Sequence, residues 1–251
     1  MVSGLIGWPL VVSPLAEVIR LLSTPLAILN RRALLSESPG DCAQRIHPSL
    51  PIQDVTFLAD PTDYAHKSAS LNLGSLGISI GMGSPFRFQV DDHAVVSLLL
   101  SCGGQGQLAM GGQRFVIDPE RPALYLPGEA FSYQINQPHG LVITTQVEHL
   151  AAQALLLAEQ AGVDGLDLSL LQRPLAIGPT RVALRHLLGL IPKTLSLLDL
   201  SVGAQGLAPG QSSGPCGDGG LESGQDEAIA SLICRQIAGL VYPQLLEGAR
   251  R

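Results

Sequence analysis

The side chains of this chain best suited to hold a metal are six histidines, His47, His66, His93, His139, His149 and His186, and none of them stands in an H-x-H pair. An open octahedral site of imidazole and carboxylate ligands needs such a pair to place two donors on one strand. No metal or other cofactor is expected, and the histidines read as turn and surface positions. The cysteines, Cys42, Cys102, Cys216 and Cys234, lie far apart with no C-x-x-C spacing, which excludes a zinc knuckle or a thioredoxin-like motif. Free thiols in a reducing cytoplasm are expected. The pattern G-x-S-x-G occurs twice, around Ser79 and around Ser212. A nucleophile elbow needs a strand before the serine and a helix after it. The first match lies inside a strand-like run and the second in a Gly/Pro/Ser-rich stretch. The glycines of 217–224 lack the Lys-Ser/Thr ending of a phosphate-binding loop. No catalytic constellation emerges, and the chain is not expected to be an enzyme.

For ligand binding the candidates are Arg87, Gln89, Tyr125 and Tyr133. A mostly apolar pocket needs a few polar groups to orient its ligand. Arg87 and Gln89 alternate with Phe86 and Phe88, so each pair occupies one face of a strand. An inward Arg87 would pair with an acidic effector. Ordinary alternation favours the opposite arrangement, with the phenylalanines in the core.

The elements that would position these residues are legible in the periodicity. From Ala69 onward, short runs alternate with period two or are continuously β-branched, each ended by Gly, Pro or Asp. Strands are expected over 71–82, 86–90, 95–102, 106–110, 114–117, 123–126, 131–135 and 141–146, enough for a jelly-roll barrel. Gly111 and Gly112 supply the positive φ angles of a two-residue hairpin that brings Leu108 near Phe115. Pro119, Pro122 and Pro127 sit at strand ends, where a missing N–H does least harm. A short helix is expected over 36–48, with Ser38 as N-cap. After Val147 the period becomes helical: 148–161 is closed by Gly162, 166–171 is a second short piece, and 180–200 is interrupted by Pro192. In 226–242 an amphipathic helix carries Ile229, Ile233, Ile237, Leu240 and Val241 at spacings of three and four, and Pro243 ends or kinks it. Such a stripe either docks on its own domain or pairs with a partner.

Composition sets outer limits. The chain of 251 residues is 46% hydrophobic and 14% charged, ample for a core, and 28 Gly with 18 Pro imply many turns. A net charge of −6 with scattered basic residues offers no electrostatic footprint for DNA or RNA. The apolar stretch 2–29 is broken by Pro9, Pro14, Pro25, Glu17 and Arg20 and has no basic region before it. Neither an export signal nor a membrane anchor is expected.

The order of parts, a β-rich block, then helices, then a separate terminal helix, resembles the N-terminal half of AraC/XylS-type transcription regulators. Val95–Ser101 followed by Gly104–Leu108 resembles the central strand and glycine-rich turn of that family. Gly112–Ile117 resembles the next strand, and Ala123–Glu129 a strand ending in a Pro-Gly-acid corner. Residues from Leu141 into the helix at Glu148 resemble the exit from the barrel. The resemblance covers roughly residues 42–246 and implies an α+β fold: a cupin-like barrel that senses a small-molecule effector, followed by helices that form a homodimer or pair with another regulator. The implied organisation is an apolar appendage over 1–35, the sensing domain over 36–202, a linker over 203–225 and the dimerisation helix with a short tail over 226–251. In this family a helix-turn-helix domain of roughly 100 residues follows. Here five residues follow Leu246, and 201–251 holds only Arg235, Arg250 and Arg251 as basic side chains. Direct nucleic-acid binding by this chain is not expected. The rival readings are a cupin-like metal-dependent enzyme and an inert truncated regulator.

Overall fold

Phe86, Phe88 and Val90 are buried while Arg87 and Gln89 between them are exposed, and this period-two pattern organises most of the protein. The computed structural model describes residues 23–36, 38, 40–41, 50–58, 64–178, 184–187, 189–191, 193 and 220–248. Within them lie β1 (Leu34–Ser36), β2 (Ile52–Phe57), β3 (His66–Leu73), β4 (Leu76–Gly83), β5 (Phe86–Val90) and β6 (Val95–Ser101). These are followed by β7 (Gln105–Met110), β8 (Gln113–Ile117), β9 (Ala123–Leu126), β10 (Phe131–Gln137), β11 (His139–Gln146) and β12 (Leu175–Ile177). The helices are α1 (Val147–Ala161), α2 (Gly220–Val241) and α3 (Gln244–Gly248), with a 3-10 turn over Leu168–Gln172.

The strands form two antiparallel sheets that face one another. One runs β1-β3-β4-β11-β6-β9-β12 and the other β2-β5-β10-β7-β8. Between them lies a first core built from Phe86, Phe88, Leu99, Leu108, Leu124, Leu126 and Phe131. The seven-stranded sheet turns its other face to the helices. There Ile78, Ile80, Leu98, Leu100, Tyr125 and Ile143 join Leu150, Ala154 and Leu157 of α1 and Ile233 and Ile237 of α2 in a second core. The result is an α+β fold with a cupin-like sandwich and C-terminal helices packed together on one side.

Local chemistry fixes the joints. Gly111 and Gly112 have φ of 54° and 77°, and Leu108 pairs with Phe115 across that hairpin, as expected. Gly162 caps α1 at φ 65°, with Gly162 and Val163 donating back to Glu159 and Ala158. At the Pro127-Gly128 corner a Cβ on Gly128 would lie 2.0 Å from the His93 carbonyl. That close approach lets the His93 N–H donate to Gly128 O at 2.8 Å, joining two loops. Asp41 N–H donates to Ser38 Oγ, the N-cap bond expected of Ser38; the rest of the 36–48 helix lies mostly outside the described residues, and Ser36 itself belongs to β1.

Three expectations need correction. The single strand over 71–82 is two strands, because Gly74 (φ 53°) opens a two-residue turn that pairs Leu73 with Leu76. Apolar residues on both sides of the turn hid it. The strands β1 and β2 and the start of β3, all before residue 69, were not anticipated. The terminal helix begins at Gly220, inside the stretch expected to be linker; residues 201–219 lie outside the described part. Of the expected 180–200 helix, the described positions 184–187, 189–191 and 193 are helical, with Leu184, Leu187 and Ile191 buried.

Pro243 ends α2, and the chain folds back as α3, where Leu246 lies against Gly239. The N-terminal side also joins the body: Leu26, Ile28 and Leu29 are buried in the second core. No helix among the described residues is long and apolar enough to cross a membrane.

Candidate functional site

A cavity of about 90 Å³ opens between the two sheets. Its walls differ in chemistry. The five-stranded sheet contributes Phe86, Phe88, Ile117 and Ile135. The seven-stranded sheet contributes Ser68 and Ser70 from β3, Ser79 from β4 and Ser101 from β6, together with His66, His139 and the apolar Leu99 and Val142. The hydroxyls on this wall follow from alternation. Along β4, Leu76, Ile78, Ile80 and Met82 all point to the helices, which leaves Gly77, Ser79, Gly81 and Gly83 facing inward. Small residues on the inner face are what keep the space open, since small barrels otherwise fill with side chains.

The serines are partly engaged already. Ser70 Oγ and Ser79 Oγ lie 2.9 Å apart across β3 and β4, and Ser101 Oγ donates to Gly104 O at 2.8 Å. His66 is almost fully buried; its ring stands edge-on to Phe86 with centroids 5.7 Å apart. Gly81 makes room for it, because a Cβ there would come within 2.9 Å of the imidazole. His139, at the start of β11, has a buried Nε2 with no hydrogen-bond partner among the described residues. Burial pushes the His139 pKa below its usual 6.5, so the ring is neutral at pH 7. Tyr133 stands edge-on to Phe88 at 5.6 Å, and burial raises its pKa, so its phenol keeps its proton. Among the lining residues none is Asp, Glu, Lys or Arg.

Of the four ligand candidates, the fold brings one to the cavity. Tyr133 lines it from β10. Arg87 and Gln89 are exposed on the outer face of β5, with Phe86 and Phe88 inward, the arrangement that ordinary alternation favours, so neither Arg87 nor Gln89 reaches the cavity. Tyr125 is also misplaced by the sequence reading. It sits on β9 of the other sheet, points to the helices, is fully buried and donates its hydroxyl to Leu171 O at 2.9 Å. The expected dimer stripe is likewise occupied. Ile233, Ile237, Leu240 and Val241 are buried in this chain's own second core, and Ile229 packs partly buried beside them. Their partners are α1 and the seven-stranded sheet. The histidines are not confined to turns and surface, since His66 is a strand residue inside the sandwich.

The sequence reading missed His66, Ser68, Ser70, Ser79, Ser101 and His139. A signal for them exists: hydroxyls at Ser68 and Ser70 alternating with Ala69 and Leu71 mark a strand with one apolar face and one wet face. No group of three or more His, Cys, Asp or Glu among the described residues is placed to hold a metal ion.

No protein-family model and no curated protein matches this sequence. Solved structures do. The AraC-like transcriptional activator CuxR aligns at a TM-score of 0.52 and 11% identity, over 84% of this chain and 70% of that one. The cupin domain of Schizosaccharomyces pombe Cnp3 aligns at a TM-score of 0.28 and 12% identity, over 47% of this chain and 80% of that one. The EutQ protein of Clostridium difficile aligns at 0.29 and 10% identity, over 35% and 66%. At such identities a likeness is one of fold, and the fold of this chain resembles that of the AraC-like activator CuxR.

Proposed function

We propose that this chain is the regulatory part of an AraC-type transcription regulator, a barrel that takes a small effector between its sheets and passes the state of the cavity to the helices. The observation that carries the reading is the double use of the seven-stranded sheet. Ser79 faces the cavity while its neighbour Ile80 faces the helical core, and Val142 and Ile143 are divided in the same way. A ligand that shifts β4 or β11 by a fraction of an ångström moves the surface on which α1 and α2 rest, because close-packed interiors transmit strain. No catalytic step is part of the proposal. Pairing with a second copy or with another regulator, if it is part of the output, uses a surface other than the α2 stripe, which is consumed within the chain.

The test is a thermal-shift screen of the purified chain against a small-molecule panel, followed by hydrogen exchange with each stabilising compound. A compound whose effect is lost in Ser79→Val is expected to slow or redistribute exchange in α1 and α2. A cavity ligand that leaves both helices unchanged would overturn the regulatory reading.

A further inference from the structure

We propose that the cavity selects an uncharged, amphiphilic small molecule, an apolar ring or short chain bearing a hydroxyl or a similar neutral polar group, and rejects carboxylates and phosphates. This rests on the reading of the sandwich as a ligand sensor and adds the chemical class of the ligand.

Three observations converge on it. The first is the charge of the walls. Among the described residues lining the space there is no Lys or Arg, and Arg87, the basic group nearest in sequence to the Phe86 and Phe88 wall, is on the outer face of its strand. An anion brought into this cavity would shed its water without gaining a Lys or Arg counter-charge, a costly arrangement for a buried ion. Burial keeps the phenol of Tyr133 protonated, so it adds no charge of its own at neutral pH.

The second is the make-up of the walls. Phe86, Phe88 and Ile135 on one sheet and Leu99 and Val142 on the other make most of the lining apolar, and Ser68 and Tyr133 place hydroxyls among them. A ligand that is wholly apolar would leave those two hydroxyls unanswered, and one polar all round would strand the apolar walls. A molecule with one end of each kind satisfies both.

The third is a pair of hydroxyls on the cavity wall, Ser68 Oγ and Tyr133 Oη, neither of which is hydrogen-bonded among the described residues. Each can donate and accept, and a ligand hydroxyl can answer both. A carboxylate can only accept, so it answers half of the requirement and still lacks a counter-ion.

The experiment titrates the full chain at pH 7.5 with butanol, phenol and benzyl alcohol, and with the related anions butyrate and benzoate. The readout is the ring resonances of Tyr133, assigned with Tyr133→Phe. At least one neutral compound is expected to shift them saturably and to bind more than tenfold tighter than its related anion. Ser79→Val, which places methyl groups in the cavity, is expected to weaken that binding more than tenfold. Ser101→Val serves the same purpose should the first variant fail to fold. An anion that binds as tightly as its neutral counterpart, with the same sensitivity to Ser79→Val, would overturn the preference and leave the sensor reading standing. A panel in which no compound moves the Tyr133 resonances would overturn both.

Discussion

The ring of Tyr133 lies against Gly106 on the neighbouring strand, so close that a Cβ at position 106 would be 2.6 Å from the ring. Ile135, two residues further along β10, is the register partner of Gly106, which places Tyr133 diagonally across the ladder, within reach of a large side chain. The glycine therefore sets where Tyr133 stands at the cavity.

Gly106→Ala is expected to push Tyr133 off its position and to cost about 1–3 kcal/mol of stability by overpacking. In a Tyr133→Ala background the same substitution is expected to cost well under that, since the obstructing ring is gone and Ala suits an extended strand. Urea denaturation of the four proteins in this double-mutant cycle gives the coupling. A coupling near zero would mean that the ring does not rest on Gly106.

Ile233 and its neighbour Leu232 should behave oppositely. Ile233 is fully buried under α1 and the sheet, whereas Leu232 is 42% exposed. Ile233→Ala is expected to cost about 2–5 kcal/mol, the usual range for emptying a core site, and Leu232→Ala less than about 0.5 kcal/mol. Because the Ile233 contacts lie within one chain, its penalty should be the same at protein concentrations tenfold apart. A penalty that grows with concentration would place the stripe in an oligomer interface instead.

His139 gives the protein a pH dependence of known sign. Burial lowers its folded pKa below 6.5, so between the folded and unfolded values the unfolded chain binds more protons. Its contribution to stability is fully present above about pH 6.5 and is lost as the pH falls towards the folded value. Urea midpoints measured between pH 7.5 and 5 should fall for the native chain and fall less for His139→Gln. Identical slopes would show that the imidazole titrates freely.

Much of the framework was legible because its cause is local. Two adjacent glycines between apolar runs demanded the hairpin at 111–112, Gly162 demanded the end of α1, and Pro243 the end of α2. The strands from 86 to 146 announced themselves through β-branched and aromatic alternation. The start of β3 did not, because its inner positions, His66, Ser68 and Ser70, line the cavity, so the apolar count that marks a half-buried strand falls short there.

The sequence by itself determined which residues share a face: Phe86 with Phe88, Arg87 with Gln89, and Ile233 with Ile237, each pair set by the period of strand or helix. Only the tertiary structure decided what each face meets. Tyr125 and Tyr133 belong to strands of different sheets, and the first is sealed under the helices while the second borders the cavity. The stripe of α2 could have met a partner and meets its own sheet. Periodicity is a property of neighbouring residues along a chain, whereas the choice of what a face packs against is made between elements far apart in sequence, where burial of both cores has to be satisfied at once.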